Sequence, residues 1–102
     1  MGGQFSGEKV VSFQAKKTLY QNYPNPFNSS SIINYSLRVN SLITLKLYDI
    51  SGKEIRTLIN ERKPQGNYTI KFDGNGLSSG IYFYSLFING LREETKRMIL
   101  LK

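Results

Sequence analysis

Three features of this 102-residue chain predict an all-β sandwich. Apolar and polar residues alternate at period two in one short segment after another. Clusters of Gly, Pro, Asn, Asp and Ser punctuate those segments at short intervals. No window carries the 3.6-residue period and caps of a helix. The length allows one domain, since domains cluster at about 100–150 residues. A chain of this size buries roughly 60–70% of its unfolded surface, enough for a core without staples.

Residues 1–17 are rich in Gly, Lys and Ser, with one apolar group, Val10-Val11-Ser12-Phe13. They read as a linker or a cloning-derived segment whose middle lies along an edge, and the Met-Gly-Gly start predicts an artificial boundary. The ordered domain is expected over 18–102. Leu19 to Tyr23 reads as a short first strand, closed by Pro24-Asn25-Pro26-Phe27-Asn28. Pro24 and Pro26 fix φ and bias Tyr23 and Asn25 towards extended backbone, which makes a stiff loop. Tyr23 and Phe27 flank it as rings able to plug one end of a core. In the next strand Ile33, Tyr35 and Leu37 share a face, and Arg38 to Ser41 turn the chain.

The central hairpin organises the rest. Ile43, Leu45 and Leu47 alternate with Thr44, Lys46 and Tyr48. Asp49-Ile50-Ser51-Gly52 is a tight turn: Asp49 can accept from backbone two residues on, and Gly52 tolerates positive φ. Ile55 and Leu58 on the return lie three apart, so burying both requires a bulge or a strand that changes sheets. Tyr68, Ile70 and Phe72 alternate after the break at Pro64 to Asn67. Asp73 to Gly80 is a long polar turn. Ile81 to Ile88 is apolar on both faces except Ser85, the pattern of a central strand covered on both sides. Asn89-Gly90 is a strong hairpin signal. The last strand places Met98 and Leu100 on one face and Ile99 and Leu101 on the other. About seven strands spaced by turns predict an immunoglobulin-like antiparallel sandwich. A five-stranded oligonucleotide-binding barrel fits that number less well, and spacing alone leaves the strand order open.

Composition excludes much chemistry. The chain has no Cys and no His, which removes disulfides, thiolate chemistry, the commonest general base and the commonest metal ligand. The net charge of +7 is scattered, and its densest patch, Arg92 to Arg97, also contains Glu93 and Glu94. Nucleic-acid binding needs clustered charge and is not expected; solubility and protection of strand edges account for the lysines. No stretch approaches the ~18 apolar residues of a membrane span, and the first residues lack the basic start and apolar run of a signal peptide.

Two local motifs tempt and fail. Gly76-Leu77-Ser78-Ser79-Gly80 matches the nucleophile elbow, but no histidine can activate a serine and a strand rather than a helix follows. Asp73-Gly74-Asn75-Gly76 begins a calcium loop, but Leu77, Ser78 and Tyr84 stand where its ligands and glycine belong. Any calcium there would occupy a weak site of another type. Asn28-Ser29-Ser30 and Asn67-Tyr68-Thr69 fit the glycosylation sequon, which has meaning only in a eukaryotic secretory pathway.

The aromatic residues are placed by phase: Tyr35, Tyr68, Phe72, Tyr82 and Tyr84 are expected inside. Tyr82 or Tyr84 is also a candidate tyrosine corner. A carbohydrate platform needs outward rings, for which Tyr48 and Phe83 are the candidates.

Four stretches in one order make a larger pattern: Leu19-Tyr20-Gln21-Asn22-Tyr23-Pro24-Asn25-Pro26-Phe27-Asn28, Leu45 to Glu54 (LKLYDISGKE), Leu77 to Tyr84 (LSSGIYFY), and Met98-Ile99-Leu100-Leu101-Lys102. Together they resemble the type A C-terminal sorting domain of the type IX secretion system of Bacteroidetes, over about Thr18 to Lys102. Ser29 and Arg38 stand where that family often has proline. The immunoglobulin-like domain of flagellar hook-capping proteins shares the NPFN region. The resemblance implies an export address that is not an enzyme and needs no cofactor. It implies a domain folded in the periplasm, recognised by the outer-membrane translocon and cut off by a sortase-like protease. An N-terminal cargo is then released or held at the cell surface. The cut would fall between Ser6 and Thr18, and a stop codon should follow Lys102. Gly80, Tyr82, Lys96 and Lys102 match the family's recognition positions, and Pro24, Pro26, Phe27, Asp49 and Gly52 its structural motif. An edge strand ending in lysine is a sensible handle for pairing with a receptor strand. The other reading is a non-enzymatic structural or adhesive module, flagellar or carbohydrate-binding.

Overall fold

The computed structural model describes residues 18–102. The expectations for the apolar group at Val10 to Phe13 and for most of the cleavage linker lie outside those residues. Six strands form: β1 (Ser30–Leu37), β2 (Ser41–Tyr48), β3 (Glu54–Lys63), β4 (Gly66–Asp73), β5 (Gly80–Ile88) and β6 (Leu91–Leu100). β1 and β4 make one antiparallel sheet, and β3, β2, β5 and β6 make the other in that order. The described residues contain no helix.

The two sheets face each other because each strand buries one phase. Ile33, Tyr35 and Leu37 of β1 meet Ile43, Leu45 and Leu47 of β2 in one buried cluster with Phe72, Tyr82, Tyr84, Leu86, Met98 and Leu100. Tyr68, expected inside, is only partly buried. It stacks on Tyr35 at 5.3 Å between ring centroids.

The segment expected as a first strand lies along β1 but does not form a regular ladder. Leu19 bridges Tyr35 and Tyr23 bridges Ile32, so the stretch Leu19 to Tyr23 is one residue longer than the stretch it faces. Pairing breaks at that slip. Asn22, buried there, donates from Nδ2 to Ser31 Oγ at 2.9 Å and to the Pro24 carbonyl at 3.1 Å. Regular strands among the described residues therefore number six rather than about seven.

The spacing of Ile55 and Leu58 is reconciled by bulges, as their separation requires. Leu45 faces Ile59 and Lys46 faces Thr57, which leaves Leu58 as the extra residue. Leu47 faces Arg56 and Tyr48 faces Glu54, which leaves Ile55 as another. Each bulge restores the inward phase at the cost of local pairing.

β5 is central, between β2 and β6, yet no third layer of described residues covers its outer face. Ile81, Phe83 and Phe87 are half-buried there. Phe87 is covered by long cationic side chains: Lys46 lies over its ring at 5.5 Å, and Arg92 over it at 5.3 Å. Such side chains bury their apolar stems and keep the charge wet. Ser85 is buried among them, its hydroxyl 2.7 Å from that of Thr95.

The Asp49 turn forms as its residues dictate. Gly52 has φ 89°, and Asp49 Oδ1 accepts from the Ser51 amide at 2.9 Å, the Ser51 hydroxyl at 2.6 Å and the Lys53 amide at 3.0 Å. The Ser51 hydroxyl, then the Lys53 amide, hold its carboxyl below the usual range. A lowered folded pKa contributes stability above the unfolded value, and this is lost as pH falls through the folded value.

Tyrosines set the opposite limit. Burial first, then the neighbouring Tyr68, pushes the Tyr35 hydroxyl up to about 12. Burial pushes Tyr84 up as well. A raised pKa contributes stability below the unfolded value of about 10 that is lost as pH rises through the folded value. The thermal midpoint is therefore expected to fall above pH ~10, and Tyr84→Phe should make that fall shallower. Calorimetry of both proteins across the alkaline range checks it. An unchanged alkaline slope in Tyr84→Phe would count against the buried, neutral hydroxyl.

Candidate functional site

The polar motifs gather at one end of the sandwich. Register places them there: Tyr48, ahead of the Asp49 turn, faces Phe83 on β5, and Phe83 faces Arg97 on β6. In the other sheet Ser30 faces Asp73, so the proline loop and the Asp73 loop close the same end. Phe27 links the sheets through a parallel bridge to Leu100.

Phe27 is the anchor of this end. Its ring is buried, meeting Phe72 edge-on at 5.8 Å with an 81° interplanar angle. Gly74 makes room for it. A Cβ on Gly74 would lie 3.3 Å from both the Phe27 ring and a Leu100 methyl, tighter than most real contacts. The Gly74 amide donates to the Ser29 carbonyl at 2.9 Å. Arg56, from β3, donates to the carbonyls of Asp73 at 2.8 Å and Asn75 at 2.6 Å, and lies over the Phe72 ring. The Asp73 carboxylate accepts from the Asn75 amide at 2.9 Å, so the tempting calcium residue caps its own turn.

The terminal residues are woven into the same cluster. The Phe27 amide donates to the Ile99 carbonyl, and the Leu101 amide donates to the Phe27 carbonyl, both at 2.9 Å. The Ile99 amide donates to Asn25 Oδ1 at 2.9 Å, and the Lys102 amide to Ser79 Oγ at 2.8 Å. Farther back, Gln21 Nε2 donates to the Arg97 carbonyl. The outer edge of the last strand is thus partly occupied, and the expectation that it lies open for a receptor strand needs correction. The proline loop already sits on it.

The opposite end receives the chain at Thr18, whose carbonyl accepts the Ser36 amide at 2.8 Å. A cleft of about 590 Å³ lies there, lined among others by Thr18, Leu37, Gln65 and Ile88.

A family model described as "Secretion system C-terminal sorting domain" matches residues 21–101. The chain belongs to that family. It is thus a C-terminal sorting signal of the type IX secretion system, a module for export of attached cargo. No curated protein matches the chain. Among solved structures, dimeric latent PorU from Porphyromonas gingivalis superposes with a TM-score of 0.66 at 19% identity, covering 81% of this chain and 9% of that one. At that identity the likeness concerns the fold. This sorting domain spans under a tenth of that protein's length. The DNA glycosylase AlkC of Pseudomonas fluorescens, bound to DNA with an abasic-site analogue, gives 0.49 at 11% identity over 86% of this chain and 31% of its own.

The sorting domain brings some of its sequence-assigned residues together. Gly80 pairs opposite Leu100, and Pro24, Pro26, Phe27 and Lys102 meet at the same end. The Tyr23–Pro24 and Asn25–Pro26 peptides are cis. Tyr82 donates to the Ser78 carbonyl at 2.7 Å, four residues upstream, as a tyrosine corner does. Tyr84 ties the Tyr20 carbonyl at 2.7 Å, so both candidate tyrosines hold loops. Asp49 and Gly52 close the same end from β2. Lys96 stands apart, opposite Tyr84 on β6. It pairs with Glu94 at 3.3 Å, with only 21% of its side chain exposed.

Sequence reasoning missed the roles of Asn25, Arg56, Gly74 and Ser79, and a third tying tyrosine. Tyr68 donates to the Pro64 carbonyl at 2.6 Å. The four-residue spacing shared by Pro64/Tyr68 and Ser78/Tyr82 was the available signal. Phe87 was missed as an outward ring, and Arg92 lies over both it and Tyr48, at 5.3 and 5.6 Å. Sugars stack on open ring faces, so the cation over Tyr48 weakens the carbohydrate reading at that ring.

Proposed function

We propose that residues 18–102 carry an N-terminal cargo to the type IX outer-membrane translocon by presenting their terminal end as the recognised feature. The domain passes through the periplasm folded, and a sortase-like protease cuts it from the cargo between Ser6 and Thr18. The cargo reaches the cell surface or the medium. The domain itself does no chemistry. Lys102 is read directly at that end, Gly80 and the buried Tyr82 shape the end it sits on, and Lys96, held by Glu94, contributes mainly by fixing the strand.

One observation supports this reading: three motif loops and the terminal residues converge at one end, while Thr18, the first described residue, lies at the other, where a cargo would attach. That polarity leaves the signal clear of the attached protein.

The test is a fluorescent cargo fused before Gly7 in a type IX-competent cell, with the surface fraction measured against periplasmic levels. The intact fusion is expected at the surface. Lys102→Ala should lower the surface fraction while changing stability by less than about 0.5 kcal/mol, since the side chain is exposed. A folded, intact fusion that stays in the periplasm would leave only the structural sandwich.

A further inference from the structure

We propose that Asn25 and Ser79 are positioning residues for the export signal, and that a receptor reads the side chains of Leu101 and Lys102 on the backbone they hold. This rests on the sorting function proposed above. Strand pairing on the inner side of β6 ends at Leu100 opposite Gly80. The next two residues would ordinarily give their amides to water. Instead, each amide is taken by a different loop: Leu101 by the Phe27 carbonyl at 2.9 Å, Lys102 by Ser79 Oγ at 2.8 Å. Just before them, Asn25 Oδ1 takes the Ile99 amide at 2.9 Å. Two of these three acceptors are side chains from exposed loops, where nothing in the core demands them.

The consequence concerns the kind of partner. Strand addition needs free backbone donors and acceptors along an edge. Here the Ile99 amide and carbonyl and the Leu101 amide are already bonded. The occupying loop is anchored by the buried Phe27 ring, which would have to leave the core before a foreign strand could enter. What remains on offer is the Leu101 side chain, 55% exposed, and the exposed Lys102. The partner that fits is a protein surface giving an apolar contact for Leu101 and a carboxylate for Lys102. Its affinity depends on the two being held in one geometry.

The experiment uses the full chain fused to cargo, with Asn25→Ala and Ser79→Ala beside Asn25→Asp and Ser79→Thr, which keep an acceptor oxygen. Amide hydrogen exchange and the thermal midpoint are read on purified protein, and the surface fraction in cells. We expect the alanine variants to stay folded and to lose at least about tenfold of the amide protection at Ile99 or Lys102. Their surface fraction should fall several-fold, and the acceptor-keeping variants should restore both. A purely structural role would move exchange without export. Normal export with a freed amide, or an Ile99 or Lys102 amide unprotected in the parent, overturns the proposal. Export that rises in Asn25→Ala overturns it in favour of strand addition. Should Asn25→Ala fail to fold, Ser79→Ala decides alone. Failure of the parent fusion to leave the periplasm removes the sorting function itself, a result visible without any variant.

Discussion

Deleting Met98 to Lys102 is expected to abolish surface delivery of a fused cargo and to destroy the cooperative fold together. Met98 and Leu100 are fully buried, and Leu100 fills the space beside Gly74 and Phe27. Without that segment, Phe27 loses its backbone partners at Ile99 and Leu101 and its bridge to Leu100. Losing two buried side chains costs several kcal/mol at about 2–5 each, against a total stability of roughly 5–15 kcal/mol for a small domain. The shorter deletion of Leu101 and Lys102 separates the two losses. It leaves β6 intact through Leu100, so unfolding should remain cooperative while the surface fraction falls. Circular dichroism melts beside the cell-surface measurement check both. Full delivery by a domain lacking Met98 to Lys102 would remove the terminal residues from the signal.

Leu47→Ala should cost roughly 2–5 kcal/mol in urea unfolding, the range for emptying a buried leucine site. Leu47 is fully buried in β2, flanked in register by Tyr84 of β5 and Arg56 of β3. Its neighbour Lys46 points to the opposite face, 3.2 Å from Glu54 and over the Phe87 ring. That pair is partly exposed, so Lys46→Ala should cost no more than about 1 kcal/mol. Equal costs would mean that the phase of β2 is reversed.

The inward phase of β2 illustrates what was legible. Ile43, Leu45 and Leu47 could be placed inside because alternation is local and a one-residue slip would expose all three. Turn chemistry was legible for the same reason: Asp49 to Gly52 and Asn89-Gly90 close their own backbone bonds, with Asn89 at φ 50° and Gly90 at φ 87°. The spacing of Ile55 and Leu58 called for a bulge or a change of sheet, and two bulges, at those two residues, are what occur. The first segment is not legible as irregular in the sequence, because its register slip goes with Asn22 meeting Ser31, a contact across a loop. β5 was expected under cover on both faces because an apolar pattern does not say whether a layer or a lysine stem supplies the cover.

By itself the sequence determined the all-β class, the strands from β1 onward, the turn residues, the family to which four ordered motifs belong, and a list of residues without histidine or cysteine chemistry. Each of these depends on neighbours within a few positions, or on pattern alone. The tertiary structure decided which strands pair, that the proline loop lies on the last strand, and that the motif loops share one end opposite Thr18. It also decided that Lys96 is paired while Lys102 is exposed, and that Asn25 and Ser79 hold the terminal backbone. The Ile99–Asn25 bond joins residues 74 positions apart. Such contacts form only when the whole core closes, since burial of Phe27, Phe72 and Leu100 together offsets the entropy of bringing their loops together.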